Sequence, residues 1–259
     1  MRLRFSKRGK VRFTSHRDVA RMWERALRRV GLPVAYSEGF NPHPKLHFGL
    51  ALSTGYESDA EFLDVDLIDP DVAGRPWTVD ELPARLSPAL PVGIDVQAAI
   101  GVEPGTPSLQ QAVTSCTWHI EVLGAPPGAV ADAVDRVLAA TTLLTTRERK
   151  GQPVTDDLRP YLLAVAVTGP LRDPAASNPA ASDPAALDPA RQHLGAVLTA
   201  ELGTQPRSLR PAELIGALCA ELREGRVCRT HQWTAADGAR EEPLRAAATS
   251  APHAQARAS

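Results

Sequence analysis

One amphipathic helix constrains the fold of this 259-residue chain more than any other feature of the sequence. Ser15 is a favourable helix N-cap with Asp18 three residues later, and Gly31 and Pro33 are typical of a helix end. Between them, apolar residues recur at helical spacing: Val19, Met22, Trp23, Ala26, Leu27 and Val30. Such a stripe is stable only when it is buried, so other elements must pack against this helix.

The opposite face of the same helix is cationic. Arg17, Arg21, Arg25 and Arg28 follow one another at spacings of four, four and three residues. Like charges one turn apart repel by roughly 0.2–0.5 kcal/mol per pair. Glu24 is the one acidic residue of the sequence near enough to pair with several of them. The pattern favours an anion-binding face over an ordinary solvated one.

The charge of the whole chain is unevenly distributed. The net charge is −1, yet residues 1–48 carry twelve basic and three acidic residues. A basic end on an otherwise acidic protein indicates an anionic partner, and RNA is the leading class. The competing interpretation is that arginines merely decorate solvated faces.

Residues 2–13 alternate between apolar and cationic side chains, the period of a half-buried strand. Gly9 interrupts the alternation, as in a turn or a bulge. We expect a strand or hairpin whose exposed face is cationic and includes Arg2, Arg4, Lys10 and Arg12. After the helix, Val34–Tyr36 is predicted as the second strand.

The segment "YSEGFNPHPKLHFG", Tyr36–Gly49, is predicted to be an extended, stiff loop. Gly39 tolerates a positive φ, and two X-Pro steps exclude helical backbone before each proline. We expect Phe40–Lys45 and the arginine face to form one surface. The candidate RNA- or anion-binding residues are Arg4, Lys10, Arg12, His16, Arg17, Arg21, Arg25, Arg28, Tyr36, Phe40, Asn41, His43 and Lys45.

Further periodic segments complete an α+β plan. Strand patterns at Lys45–Leu52, Glu61–Leu67 and Gly93–Ile100, with a short helix after Thr78, give the order strand, helix, strands, helix, strand. This is the order of a ferredoxin-like βαββαβ domain with an antiparallel sheet, and it recurs in the second half.

The predicted organisation is therefore two ferredoxin-like domains in tandem. Residues 1–103 form the basic domain, 104–116 a linker and 117–233 the second domain. Asp/Asn-Pro-Ala repeats at 170–191 and the Ala/Arg-rich segment 234–259 are predicted to be disordered.

Several classes of protein are disfavoured. Three widely spaced cysteines support neither a disulfide framework nor a zinc site, and we predict no metal and no cofactor. Neither a secretory signal nor an apolar run of membrane-spanning length is found in the sequence. We expect a cytoplasmic protein without membrane contact.

The strings "SHRDVARMWERALRRVGLP" and "SEGFNPHPK" resemble a bacterial radical-SAM-associated family, a domain of unknown function. The resemblance is dense from Arg2 to about Leu67, weaker at "RERKGQPVTDDLRPY", and extends to Trp233. Members are fused to, or encoded beside, a radical SAM enzyme with a B12-binding domain. The resemblance implies an accessory role with that enzyme as partner. The chain lacks the CxxxCxxC motif that would hold a catalytic cluster.

The function expected from these observations is a non-catalytic accessory protein that binds or presents an RNA, with tRNA or rRNA as candidate ligands. One alternative is a metal-independent endoribonuclease-like enzyme using His16, His43 and Lys45, an idea that also draws on the similar plan of CRISPR repeat-processing endoribonucleases. A second alternative is a protein–protein adaptor that binds no nucleic acid.

Overall fold

The computed structural model describes residues 1–68, 78–103, 105–149, 151–171, 195–236 and 239–244. The chain divides into two compact units. Unit 1 contains Met1–Ala112 together with Ala236–Ser259, and unit 2 contains Val113–Ala235. Each is a mixed α+β structure in which a mostly antiparallel sheet packs with few helices.

Unit 1 has a four-stranded antiparallel arrangement, with the strands in the order β4 (Ile94–Ile100), β1 (Arg2–Lys7), β3 (Glu57–Val65) and β2 (Leu46–Phe48). Leu3 of the first strand pairs with Leu63 on one side and with Ala99 on the other. The elements are β1 (Arg2–Lys7), α1 (His16–Val30), β2 (Leu46–Phe48), β3 (Glu57–Val65), α2 (Leu82–Leu86), β4 (Ile94–Ile100) and α3 (Leu109–Ala112), with 3-10 turns at Gly9–Phe13, Val79–Glu81 and Ser87–Ala89.

The helix predicted from the sequence is confirmed as α1. The Ser15 hydroxyl accepts a hydrogen bond from the Asp18 backbone N–H at 3.2 Å, and Gly31 ends the helix at φ 74°. The apolar stripe enters the core, where the rings of Trp23 and Phe5 meet edge to face at 4.9 Å. Side chains of α1, α2, β1, β3 and β4 share this core, so both helices cover one face of the sheet.

The segment before α1 differs from the expectation. β1 ends at Lys7, and Gly9–Phe13 forms a 3-10 turn in place of a continuing strand. Gly9 has φ 69°, which breaks the extended backbone. The predicted strand Val34–Tyr36 is reduced to two isolated bridges, one to Leu67 and one to Pro44.

Unit 2 contains a second antiparallel arrangement, with the strands in the order β10 (Arg223–Ala236), β5 (Val113–Leu123), β9 (Gly195–Gly203) and β8 (Leu162–Pro170). Helix α4 (Pro127–Ala139) contacts β8, and helix α5 (Pro211–Leu218) contacts β5. Strands β6 (Leu144–Arg149) and β7 (Gln152–Asp157) form a separate two-stranded sheet. The elements are β5 (Val113–Leu123), α4 (Pro127–Ala139), β6 (Leu144–Arg149), β7 (Gln152–Asp157), β8 (Leu162–Pro170), β9 (Gly195–Gly203), α5 (Pro211–Leu218) and β10 (Arg223–Ala236), with a 3-10 turn at Arg159–Tyr161.

The predicted linker and disordered segments differ in part from the structure. The expected linker 104–116 contains α3 and the start of β5. Within the expected tail, β10 continues to Ala236, β11 (Ala239–Glu241) follows, and Leu244 packs against Ala60, Phe62 and Leu109 of unit 1. Residues 172–191 of the predicted insert, and 237–238 and 245–259 of the predicted tail, lie outside the described residues.

Candidate anion-binding surface

The outer face of α1 presents four exposed arginines: Arg17, Arg21, Arg25 and Arg28. Arg21 lies 3.7 Å from the Asp18 carboxylate, and Arg25 Nε donates to the Arg21 carbonyl at 3.1 Å. Across the described ranges of the chain, no carboxylate lies within 4.0 Å of Arg17, Arg25 or Arg28. These guanidinium groups remain available to an external anion.

The beginning of α1 is set by a reciprocal contact between Ser15 and Asp18. The Ser15 hydroxyl donates to the Asp18 carboxylate at 2.7 Å while it caps the helix. This hydrogen bond, followed by the nearby Arg21 and Arg17 charges, lowers the pKa of Asp18 below its ordinary value. The carboxylate is held charged at the positive end of the helix dipole, which stabilises the start of the cationic helix.

The loop after α1 is held at its base by backbone hydrogen bonds. Ser37 N–H donates to the His43 carbonyl at 2.9 Å, and the His43 N–H donates to the Ser37 hydroxyl at 3.0 Å. Lys45 N–H donates to the Ala35 carbonyl at 2.8 Å. The side chains of the loop's ligand candidates are exposed: Tyr36, Phe40, Asn41, His43 and Lys45. Phe40 is fully exposed, so its ring is accessible to an external partner.

A cavity of about 190 Å³ joins the loop to the second half of α1. Buried side chains of Leu27, Leu32 and Val34 contribute its apolar wall. The remaining lining residues are Glu24, Arg28, Gly31, Tyr36 and Pro44. We call this space the Tyr36 cavity.

Near the other end of α1, the His16 ring packs edge to face on Phe48 of β2 at 4.9 Å. The segment 36–48 therefore contacts α1 near both ends of the helix. The structure brings Arg28, Tyr36 and Pro44 together, while Arg17, Arg21 and Arg25 lie farther along the same exposed helix face. We use the name α1–loop surface for the exposed candidate residues of α1 and of the loop that follows it: Arg17, Arg21, Arg25, Arg28, Tyr36, Phe40, Asn41, His43 and Lys45.

Arg4 is not part of this surface. Its guanidinium is buried and lies 2.7 Å from the Glu242 carboxylate, and it donates to the Gln97 side chain at 2.9 Å. Arg2 is also buried and binds the Asp64 carboxylate at 2.8 Å. The expectation of an exposed cationic face on β1 is therefore wrong, because both arginines of this strand are buried and bound by carboxylates of other segments.

The 3-10 turn after β1 contributes little free cationic charge. Arg12 lies 3.1 Å from the Glu57 carboxylate, and its guanidinium stacks on the Phe13 ring at 4.6 Å. Lys10 is exposed. Lys10 therefore resembles Arg17, Arg25 and Arg28: it is exposed, and it has no carboxylate partner among the described residues.

The structure groups a histidine and a carboxylate beside the loop. His47 Nε2 lies 3.5 Å from the Asp66 carboxylate, and both side chains are exposed. In the part of the chain that the structure describes, no three His, Cys, Asp or Glu side chains lie close enough together to hold a metal ion. Among the described helices, none is long and apolar enough to cross a membrane.

The sequence did not predict the Tyr36 cavity. The wall of this cavity is formed by α1, by the residues after Gly31 and by the segment in which Tyr36 bridges to Pro44. The one local signal in the sequence is Glu24, an acidic residue inside the arginine stripe whose spacing predicts an ion-pair partner for those arginines. In the described structure no cation lies within 4.0 Å of the Glu24 carboxylate.

The fold and this surface together define an α+β protein with an exposed cationic helix beside an exposed aromatic loop. Residues 1–186 match the model of a family described as an uncharacterized protein conserved in bacteria (DUF2344). The chain belongs to this family, and the matched span includes every residue of the α1–loop surface. A comparison with the curated proteins finds no match to the chain.

Proposed function

We propose that this protein is a non-catalytic accessory protein that binds RNA through the α1–loop surface. The observation that carries the proposal is the row of exposed arginines on α1, of which Arg17, Arg25 and Arg28 have no carboxylate within 4.0 Å among the described residues. A helix that carries these charges without carboxylate partners in the described structure is suited to a polyanion. Lys10 adds a further exposed positive charge in unit 1.

The chemistry of the surface favours single-stranded RNA. Arginines on one helix face neutralise successive phosphates and release counterions, which makes affinity strongly dependent on salt. Exposed rings beside them stack on unpaired bases, and Tyr36 and Phe40 supply such rings. A duplex would satisfy the arginines but would offer no unpaired base to Phe40.

The binding experiment is a fluorescence anisotropy titration of a labelled single-stranded RNA at increasing salt. With about six phosphates engaged, log K falls with log salt at a slope of about −4. Arg17→Gln and Arg25→Gln each make the slope of log K against log salt less negative by about 0.7, because each removes one phosphate contact. The control is Arg136→Gln on α4, an exposed arginine of unit 2, which leaves the slope unchanged. Absence of binding at low salt contradicts the proposal.

We also propose that the protein acts beside a radical SAM enzyme. This rests on the resemblance of "SHRDVARMWERALRRVGLP" and "SEGFNPHPK" to the radical-SAM-associated family. A pull-down with the neighbouring radical SAM enzyme, with and without ribonuclease, tests it. Capture that ribonuclease abolishes supports RNA presentation, whereas capture without any RNA binding supports a protein adaptor.

We further propose that both units are ferredoxin-like domains. In each unit the chain order is strand, helix, strand, strand, helix, strand, with the β6–β7 sheet as an addition in unit 2. The orders β4-β1-β3-β2 and β10-β5-β9-β8 place equivalent strands in equivalent positions. This correspondence supports the proposal, and an experimental structure compared with ferredoxin-like domains tests it.

A further inference from the structure

The Tyr36 cavity combines the features of a site for one flat polar group. Its wall is apolar, formed by Leu27, Leu32 and Val34, and the Tyr36 ring lies on its lining with 44% of the residue exposed. A volume of about 190 Å³ is below the roughly 300–1,000 Å³ typical of pockets for drug-sized ligands. The space suits a fragment, such as a single base, better than a whole nucleotide.

Two opposite charges lie on this lining, one helical turn apart. Glu24 and Arg28 both face the cavity, yet their charged groups are not within 4.0 Å of each other in the described structure. A pair at this helical spacing would ordinarily form a weak surface ion pair. Glu24 and Arg28 therefore both line the cavity without forming an ion pair with each other.

We propose that the Tyr36 cavity binds one unpaired guanine of the RNA, an inference that rests on the proposed function. Guanine carries two adjacent donors on its Watson–Crick edge, N1–H and the N2 amino group, and a carboxylate accepts both. Adenine and cytosine each offer one amino group beside an acceptor, which a carboxylate repels. Tyr36 stacks on the base, and Arg28 binds the phosphate that follows it.

Glu24 explains why the arginine stripe contains an acidic residue. On electrostatic grounds alone, a carboxylate among phosphate-binding arginines weakens RNA affinity. In the cavity it contributes base discrimination, which the arginines do not supply because phosphates are common to all sequences. Glu24 is therefore a specificity-determining residue, and the arginines determine affinity.

The test compares two single-stranded oligouridines, one with a central guanine and one with a central adenine. Wild type prefers the guanine oligomer by roughly tenfold, within the range of a bidentate contact. Glu24→Gln reduces the preference to within about twofold, since an amide presents a donor where the carboxylate accepted. The matched control is Glu38→Gln, the same charge change at an exposed loop residue outside the cavity, which keeps the full preference.

A second experiment uses only the wild-type protein, so its outcome does not depend on whether a variant folds. Guanosine monophosphate displaces the labelled RNA from wild type at lower concentration than adenosine, cytidine or uridine monophosphate. If wild type binds RNA in a salt-dependent way but shows no preference for guanine, the guanine site in the Tyr36 cavity is wrong and the proposed RNA binding stands. Preference retained in Glu24→Gln overturns it as well. Failure of wild type to bind any of the RNAs overturns the proposed function and the cavity assignment together.

Discussion

Arg4 and Glu242 form an ion pair inside unit 1, with 2.7 Å between Arg4 Nη1 and Glu242 Oε1. Only 6% of the Arg4 side chain and 12% of the Glu242 side chain are exposed. The Arg4 guanidinium also donates to the Leu244 carbonyl at 3.0 Å. Residues near the end of the sequence are therefore part of the structure of unit 1.

Glu242→Gln is expected to destabilise the protein by about 3–5 kcal/mol, because removal of one partner leaves the Arg4 charge buried and incompletely paired. Urea denaturation measures the loss. Glu103→Gln, the same charge change at an exposed residue, is expected to stay within about 0.5 kcal/mol of wild type. Equal stability of the two variants would show that the ion pair does not stabilise unit 1.

Gly93→Ala is expected to be strongly destabilising, by more than about 2 kcal/mol. Gly93 has φ 96°, and an added Cβ would lie 2.2 Å from the Arg8 carbonyl oxygen. The Arg8 N–H donates to the Gly93 carbonyl at 2.7 Å, so the backbones cannot separate without losing this bond. Gly101→Ala, with open space around its Cβ position, is the control and keeps the wild-type denaturation midpoint.

Phe40→Ala is expected to weaken binding of single-stranded RNA by roughly tenfold, since one base loses its stacking partner. The salt slope stays unchanged because no phosphate contact is removed. Phe13→Ala provides the control: Phe13 is exposed, but the Arg12 guanidinium covers part of its ring. Anisotropy titrations distinguish the two, and equal effects contradict a role for the loop.

Ser15→Ala is expected to cost about 1 kcal/mol at neutral pH through loss of the helix cap. The substitution also removes the main cause of the lowered Asp18 pKa, so this pKa rises toward 3.8. NMR titration of the Asp18 carboxylate measures the change. An unchanged titration would contradict the Ser15–Asp18 hydrogen bond.

The same contact predicts a dependence of stability on pH. Because the pKa of Asp18 is lower in the folded protein, its carboxylate stabilises the fold at pH values above the ordinary pKa of 3.8. This contribution to stability is lost as the pH falls through the pKa of the folded state. The stability difference between wild type and Ser15→Ala should therefore shrink below pH 3.8. Denaturation curves on both sides of that pH provide the measurement.

Helix α1 could be predicted because its signals are local. The Ser15 cap, the apolar stripe and the Gly31 end all depend on residues within a few positions of one another. The same helical periodicity predicts that Arg17 and Arg25 lie opposite the stripe, and both are exposed. No partner from elsewhere in the chain was needed for that inference.

The alternation in residues 2–13 was misleading because its second half lacks the partners that a strand requires. Up to Lys7, β1 is hydrogen-bonded between β3 and β4. Beyond Gly9, the chain turns and buries Val11 from a 3-10 turn. Alternation shows which side chains share a face, whereas the pairing depends on strands far away in sequence.

The sequence by itself determined the cationic helix, its caps and the exposure of its arginines, because a helix is built from contacts one turn apart. Only the tertiary structure decided which basic residues are neutralised: Asp64 binds Arg2, and Glu242 binds Arg4. It also decided that Glu24 and Arg28 face a cavity with Tyr36. These relationships join segments that packing of the whole unit brings together in space, so no local periodicity of the sequence predicts them.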